Sequence, residues 1–201
     1  MMAVQQIAPV VCLASGSPRR RQLLWQIGVP HRVAAANVDE SVLPGESPED
    51  YVERLALEKA MVVRSHGEPL PVLAADTAVV LEGTVYGKPA DHADALAMLG
   101  RLSGRVHQVL TAVALATERS VEVRISGSTV RMRDLSLAER ETYWRTGEPR
   151  DKAGAYAIQG FAAVFIESLS GSYSGVMGLP LAETAGLLRA AGIDYWQGTH
   201  A

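Results

Sequence analysis

The chain has 201 residues, of which 48% are hydrophobic and 20% are charged, and its formal net charge is −3. This composition predicts a soluble globular protein and excludes a disordered chain. The acidic balance argues against a protein that binds nucleic acid through a general basic surface. The chain is long enough to bury a core as one domain or as two closely packed lobes.

The N-terminal segment carries the first information about location. The single cysteine, Cys12, lies in an apolar run, which favours a packing role and a reducing compartment. Met1 to Pro18 has no charged side chain and no preceding basic segment, and it contains several polar residues. It is therefore typical of neither a signal peptide nor a membrane-spanning helix, and we expect a cytoplasmic protein.

A strand, a small-residue turn and a helix are predicted at the start of the chain. Val10–Ala14 is apolar, and Pro18 opens a helix that ends at Gly28. The first N–H groups of a helix lack internal partners, and Ser15 and Ser17 add hydroxyls beside them. The turn is either an anion-binding site or an ordinary capped helix start.

Three arginines, residues 19–21, follow in the first turn of this helix. Cations at this end oppose the helix dipole, so a bound anion such as a phosphate would compensate them. The alternative is that the arginines are simply solvated.

The next elements bring acids and a lysine towards a sheet. A second strand, 31–36, leads to a polar turn that contains Glu40. Ser47 and Pro48 then begin a helix that runs to about Ser65. Lys59 falls within the apolar stripe of that helix, so it either reaches an anionic site at the sheet edge or extends along the stripe to solvent.

An acidic residue interrupts the most apolar strand. Residues 71–75 predict a buried strand that ends in Asp76 and Thr77, and apolar residues resume at 78–81. An unpaired buried carboxylate is costly, so Asp76 requires a backbone turn, a cation or a metal. Taken alone, the pattern slightly favours a turn.

The remaining segments alternate between strands and helices. His107 and Thr111 share one strand face, where a single histidine is more often structural than catalytic. The predicted elements are a connecting turn with Lys88, a helix from Asp91 to about Leu102, strands at 106–116 and 121–130, a helix with a capping box at 136–145, a loop at 151–160, a strand at 161–169, a flexible connection at 170–175 and a helix from Pro180 to about Ala191. This order predicts an α/β or mixed α+β fold with one continuous core.

Several motifs occur in a specific order along the chain. They are Leu-Ala-Ser-Gly-Ser-Pro-Arg-Arg at 13–20, Val-Asp-Glu at 38–40, Arg-Leu-Ala-Leu-Glu-Lys-Ala at 54–60, Ala-Asp-Thr at 75–77, Gly-Lys-Pro at 87–89, Ser-Gly-Arg-Val-His-Gln-Val-Leu-Thr at 103–111, Asp-Lys-Ala-Gly-Ala-Tyr-Ala-Ile-Gln-Gly at 151–160 and Gly-Leu-Pro-Leu at 178–181. In this order the chain resembles the Maf family of nucleoside triphosphate pyrophosphatases from about residue 11 to 189.

The resemblance implies a cytoplasmic, metal-dependent enzyme that cuts the α–β phosphoanhydride of a nucleoside triphosphate. It also implies a fold similar to the inosine triphosphatase-like proteins, in which an elongated mixed sheet lies between two lobes with a central cleft. On the same basis we expect a homodimer and a single Maf-like domain over residues 1–201, with a core from about 10 to 192 and short peripheral tails. A regulator of cell division that acts through protein or nucleic-acid contacts is the alternative, which the acidic net charge and the set of site residues disfavour.

The resemblance also assigns roles within the site. Ser15, Ser17 and Arg20 are expected to bind phosphate, while Asp76, Lys59 and Lys88 are expected to be catalytic. Glu40 and Asp76 are oxygen ligands of the type that Mg²⁺ or Mn²⁺ prefers. Asp76 matches the family's proposed general base, and whether it ligates the metal, deprotonates water or does both remains open.

Three positions match the subgroup that is similar to the dTTP/UTP pyrophosphatases. Arg19, Thr77 and Gln159 stand where the 7-methyl-GTP-preferring group typically has Trp, Gln and Glu. The Gln159 amide can present a donor and an acceptor to the imide edge of uracil or thymine. We therefore expect a preference for pyrimidine triphosphates.

Overall fold

The computed structural model describes residues 8–197, which form a seven-stranded mixed sheet with helices on both faces. The strands are β1 (Val11–Leu13), β2 (His31–Val33), β3 (Val72–Leu81), β4 (Thr84–Tyr86), β5 (Val106–Ala116), β6 (Val121–Met132) and β7 (Ile166–Ser170). The helices are α1 (Pro18–Gln26), α2 (Pro48–Ser65), α3 (His92–Leu102), α4 (Leu137–Arg145), α5 (Tyr173–Met177) and α6 (Leu181–Ala190). The predicted mixed α/β class is confirmed.

The strand order is β2-β1-β3-β5-β6-β7, with β4 paired to β3. The short β1 is parallel to both β2 and β3. The pairs β3–β4, β3–β5, β5–β6 and β6–β7 are antiparallel, and the predicted β5–β6 pair is confirmed over the full length of β5. The sheet is therefore parallel where β1 pairs with β2 and β3, and antiparallel at its other strand pairs.

Helix α2 covers one face of the sheet. Its buried side chains pack with alternate residues of β3 and β5, including Val72, Ala74 and Ala78. The opposite face carries two separate apolar clusters. One contains Leu24 of α1 and Leu187 of α6, and the other contains Leu99 of α3. The boundary between these two clusters falls at the middle of β3.

Several local predictions are wrong. The second strand, predicted over residues 31–36, ends at Val33. The apolar run Phe161–Phe165 forms 3-10 turns, and only Ile166–Ser170 is a strand. The predicted flexible connection at 170–175 contains the start of α5, because the Ser172 side chain caps that helix by accepting from the Gly175 N–H. None of the helices in residues 8–197 combines the length and apolarity needed to cross a membrane.

Candidate functional site

A gap in one edge of β3 creates the candidate site. On this edge, β1 pairs with Val72 and Leu73, and β4 pairs with Val79–Leu81. Between these partners, β3 borders a cleft. Asp76 and Thr77 lie at the middle of the gap and project to opposite faces of the strand. The strand is unbroken through both residues, so the predicted backbone turn at Asp76 is wrong.

The cleft has a volume of about 360 Å³ and contains all ten residues that the sequence singled out. Five basic side chains line it, namely Arg19, Arg20, Lys59, Lys88 and Lys152. Three acidic side chains line it as well, namely Glu40, Asp76 and Asp151. The cleft thus has a local excess of positive charge in a chain whose net charge is −3, which suits a polyanionic ligand.

Lys59 joins the two carboxylates at the centre of the cleft. Its Nζ donates to Asp76 Oδ1 and to Glu40 Oε1, both at 2.6 Å. Lys59 and Asp76 are only 7% and 6% exposed. Lys59 therefore points inward from α2, and a cation, rather than a turn, satisfies Asp76.

The two carboxylates differ in their electrostatics. Burial raises the pKa of Asp76 above its usual value, although Lys59 and Arg20 oppose that shift. Burial would also raise the pKa of Glu40, but Lys59 and Lys88 together outweigh it and hold that pKa below its usual value. Asp76 is therefore the stronger proton acceptor, and Glu40 is the more persistent anion.

Two further side chains hold Glu40. Lys88, in the turn after β4, donates from Nζ to Glu40 Oε2 at 3.2 Å. The Tyr51 hydroxyl donates to the Glu40 carbonyl oxygen at 3.0 Å. Sequence reasoning missed Tyr51, although its position eight residues before Lys59 on α2 places both near one helix face.

Arg20 connects the N-terminal turn to the far side of the cleft. Its Nε donates to the Gly178 carbonyl at 2.6 Å, and its two terminal nitrogens donate to Ser15 Oγ at 3.2 Å and Thr77 Oγ1 at 3.1 Å. A guanidinium has five N–H donors, so two remain for a ligand. The Ser17 backbone N–H donates to Ser15 Oγ at 3.2 Å.

Arg19 and Gln159 also line the cleft. Arg19 lies 3.9 Å from Asp151, and burial lowers the pKa of its guanidinium. Sequence reasoning also missed Lys152, which lines the cleft and forms an ion pair with Asp151. The sequence signal that could have identified Lys152 is its position in the Asp151-Lys152 pair at the start of the predicted loop.

His107 supports the cleft without lining it. It is 2% exposed, and its Nε2 lies 2.7 Å from the hydroxyl of Tyr156, a residue of the cleft wall. Burial lowers the pKa of His107 to about 4, so the ring is neutral at pH 7. Its burial and its contact with Tyr156 are what we expect of a structural histidine.

The donor set of the cleft fits a hard divalent cation that the substrate helps to bind. No group of three His, Cys, Asp or Glu side chains in residues 8–197 is arranged to hold a metal. However, Glu40 and Asp76 are brought together by their shared partner, Lys59. Mg²⁺ typically uses one or two carboxylates and completes its shell with water and substrate phosphates.

Comparison with known proteins places the chain in a family. Residues 10–191 match the family model described as Maf-like protein. The chain belongs to this family. This Maf-like protein is 52% identical over 187 residues to a protein of Hahella chejuensis, covering 92% of this chain and 93% of that protein.

Two other relatives are comparably similar. A protein of Saccharophagus degradans is 52% identical over 189 residues, covering 92% of this chain and 90% of the relative. A protein of Bordetella avium is 54% identical over 194 residues, covering 92% and 96%. All three relatives carry the name dTTP/UTP pyrophosphatase.

Proposed function

We propose that this Maf-like protein hydrolyses the α–β phosphoanhydride of dTTP and UTP, releasing the nucleoside monophosphate and pyrophosphate. The observation that carries the proposal is the buried Asp76 carboxylate, joined through Lys59 to Glu40 in a cleft with excess positive charge. The relatives' shared name, dTTP/UTP pyrophosphatase, supports the choice of substrate.

The basic side chains would bind the triphosphate. Its roughly four negative charges must be neutralised and held, because catalysis of phosphoryl transfer is mostly positioning and electrostatics. Ser15 and Ser17 offer hydroxyls, and Arg20 offers its two unused N–H groups. The Lys88 side chain is 59% exposed at the cleft mouth, where its ammonium group could leave Glu40 and bind a phosphate oxygen.

Asp76 would accept a proton from the attacking water. The water oxygen forms a bond to the α-phosphorus while the bond from that phosphorus to the α–β bridging oxygen breaks, and pyrophosphate leaves with the bridging oxygen and the electron pair. The raised pKa of Asp76 suits proton acceptance, and Lys59 stabilises the charges on both carboxylates.

Glu40 and Asp76 would hold a divalent cation, Mg²⁺ or Mn²⁺, together with the substrate phosphates. When bound, such an ion neutralises phosphate charge and lowers the pKa of coordinated water. Lys59 contacts both carboxylates and so places a positive charge next to the position that the cation would take. We expect Lys59 to move towards a phosphate oxygen when the cation and substrate bind.

The nucleobase would lie near Arg19, Thr77 and Gln159. The Gln159 amide would pair with the imide edge of uracil or thymine. Thr77 Oγ1 accepts from Arg20 and lies 3.0 Å from Thr111 Oγ1, so its hydroxyl would orient Arg20 as well as shape the pocket.

The setting of the enzyme is also proposed. We infer a single domain over residues 1–201 with a core from about 10 to 192, a cytoplasmic location where nucleoside triphosphates are available, and a homodimer, as the resemblance to the family implies. Sedimentation at micromolar concentration would test the dimer directly.

The test is metal-dependent release of monophosphate and pyrophosphate from dTTP, UTP, CTP, GTP and 7-methyl-GTP. We expect fast turnover of dTTP and UTP, and Asp76→Asn should lower kcat by about 10²- to 10⁴-fold because it removes a general base. Glu118→Gln is the control, since that side chain is 79% exposed in the β5–β6 turn. No hydrolysis of any triphosphate would overturn the proposal, and a preference for 7-methyl-GTP would overturn its substrate assignment.

A further inference from the structure

The loop that carries Gln159 lies between two tethered segments. Residues 156–159 form one wall of the cleft and bring Gln159 to its surface. Among residues 8–197, no protein group hydrogen-bonds the Gln159 amide, which leaves its donors and its acceptor available to a ligand. A freely available amide selects a nucleobase only if the backbone that carries it is held in place.

One carboxylate ties the segment after Gln159. Glu148 Oε2 accepts from the Phe161 N–H at 2.9 Å, and Glu148 Oε1 accepts from the Ala162 N–H at 3.2 Å. Glu148 Oε1 also accepts from the Tyr143 hydroxyl at 2.6 Å. Three donors therefore converge on one carboxylate group, and hydrogen bonds to a carboxylate are among the stronger ones in proteins.

One phenol ties the segment before Gln159. The Tyr143 hydroxyl accepts from the Ala157 N–H at 3.2 Å while it donates to Glu148. The Tyr143 ring is 3% exposed and packs edge-on against Phe165 at 5.2 Å. Burial, followed by the Glu148 contact, raises the pKa of this phenol above its usual value, so the hydroxyl keeps its proton.

Gly160 makes the close approach to the carboxylate possible. A Cβ at this position would lie 1.9 Å from Glu148 Oε2. Any larger residue would displace either the carboxylate or the loop. Glu148 and Tyr143 therefore form one hydrogen-bonded group that packs closely against Gly160. We call these three residues the Gln159 clamp.

We propose that Glu148 and Tyr143 are positioning residues for nucleobase selection, which fix the Gln159 backbone so that its amide meets the imide edge of uracil or thymine. The proposal rests on the proposed function. Neither residue lines the cleft, so both would act through Gln159 and not by touching the substrate. Glu148 also acts electrostatically on Arg19, and the test must separate this effect from positioning.

Two variants break the clamp in different ways. Glu148→Gln keeps the side-chain size but turns an NH₂ group towards backbone N–H donors and removes the charge. Gly160→Ala keeps the charge and displaces the carboxylate sterically, so an effect shared by both variants reports positioning. Glu167→Gln is the matched control, because that carboxylate is 48% exposed and pairs only with the surface residue Arg131 in the described structure.

The first measurement compares UTP with ribose 5′-triphosphate, which has the same anhydride but no base. Both variants should raise KM for UTP about tenfold while kcat and the kcat/KM for the base-free substrate change by less than about twofold. In a Gln159→Ala background, the same substitutions should have no further effect on UTP. Equal losses on both substrates, or an undiminished effect in the Gln159→Ala background, would overturn the proposal.

Hydrogen exchange supplies a second measurement that does not depend on turnover. In Glu148→Gln, amides of the segment 157–162 should exchange about tenfold faster, with β3 and β5 unchanged. Unchanged protection would overturn the clamp even if the enzyme hydrolyses UTP. Conversely, a wild-type protein that hydrolyses no UTP would overturn the proposed function, whereas the exchange result would still decide whether the clamp holds the loop.

Discussion

Lys59 is a buried cation that contacts two carboxylates. Against the opposing effect of burial, its charge acts to lower the pKa of both Asp76 and Glu40. Its contacts to Asp76 and Glu40 are both 2.6 Å long. A buried charge that loses its partner is costly, because the remaining ion has neither water nor a counterion. The same arrangement provides a proton acceptor and a persistent anion side by side.

Lys59→Met should therefore destabilise the protein by about 3 kcal/mol at pH 7, since Asp76 would be left buried without its main partner. Loss of the lysine would raise the pKa of Asp76 further, so protonation would relieve part of the cost at pH 5. Urea unfolding at both pH values measures the difference. Lys88→Met, at an exposed partner of Glu40, should cost less than about 1 kcal/mol, and equal losses from the two variants would contradict this account.

His107 gives a second residue-scale prediction with a defined direction. Its pKa is lowered from 6.5 to about 4 by burial, so the unfolded chain binds a proton that the folded protein does not bind between these pH values. Stability should fall as pH decreases through this window, by about 2 kcal/mol from pH 7 to pH 5.

The check is the pH dependence of the unfolding free energy in the wild type and in His107→Gln. The variant lacks the titrating ring, so its stability should depend less on pH over the same interval. A wild type and a variant with parallel pH profiles would show that His107 does not contribute.

At the scale of elements, α2 is the helix that delivers side chains to the cleft. It begins at Pro48, where the Ser47 Oγ accepts from the Asp50 N–H at 3.1 Å, and it carries Tyr51 and Lys59. Ser47→Ala should lower the free energy of unfolding by about 1 kcal/mol, because one N-terminal N–H loses its acceptor. Denaturant unfolding measures the loss, Ser47→Asp should restore most of it, and an unchanged midpoint in Ser47→Ala would contradict the role of the cap.

Elements with strong local signals are also those that the sequence predicted correctly. Both ends of α2 and the capping box of α4 agree with prediction, because a cap depends on residues within one turn. Phe161–Phe165 resembles a strand locally but forms 3-10 turns. Its first two N–H groups bond to Glu148, which is more than ten residues away along the chain.

At the scale of the whole molecule, the cleft joins segments from both ends of the chain, so a bound substrate should stabilise the entire fold. A non-hydrolysable α,β-imido analogue of UTP with Mg²⁺, at one hundred times its Kd, should add about 2.7 kcal/mol to the free energy of unfolding. Thermal or denaturant unfolding with the analogue measures the shift. Chelation of the metal should remove most of it, and equal stabilisation in the presence of chelator would argue against a shared metal–phosphate site.

The sequence by itself determined the N-terminal caps of α2, α3 and α4, the alternation of the long strands and the identity of the ten candidate residues. These features depend on short-range periodicity or on residue identity within a motif. The order of the motifs gave the resemblance to a family, and that resemblance assigned the ten residues to one site. Sequence reasoning was thus sufficient for the fold class and for ten residues of the cleft lining, although it missed Tyr51 and Lys152.

Only the tertiary structure decided how those residues work together. The gap in the β3 edge exists because β1 ends after Leu13 and β4 begins its pairing at Val79, a spacing that no local pattern contains. The burial of Lys59 between Asp76 and Glu40 and the Gln159 clamp also join residues distant in the chain. Such contacts depend on the relative placement of packed elements, which is why Asp76 looked like a turn in the sequence and lies within a continuous strand in the fold.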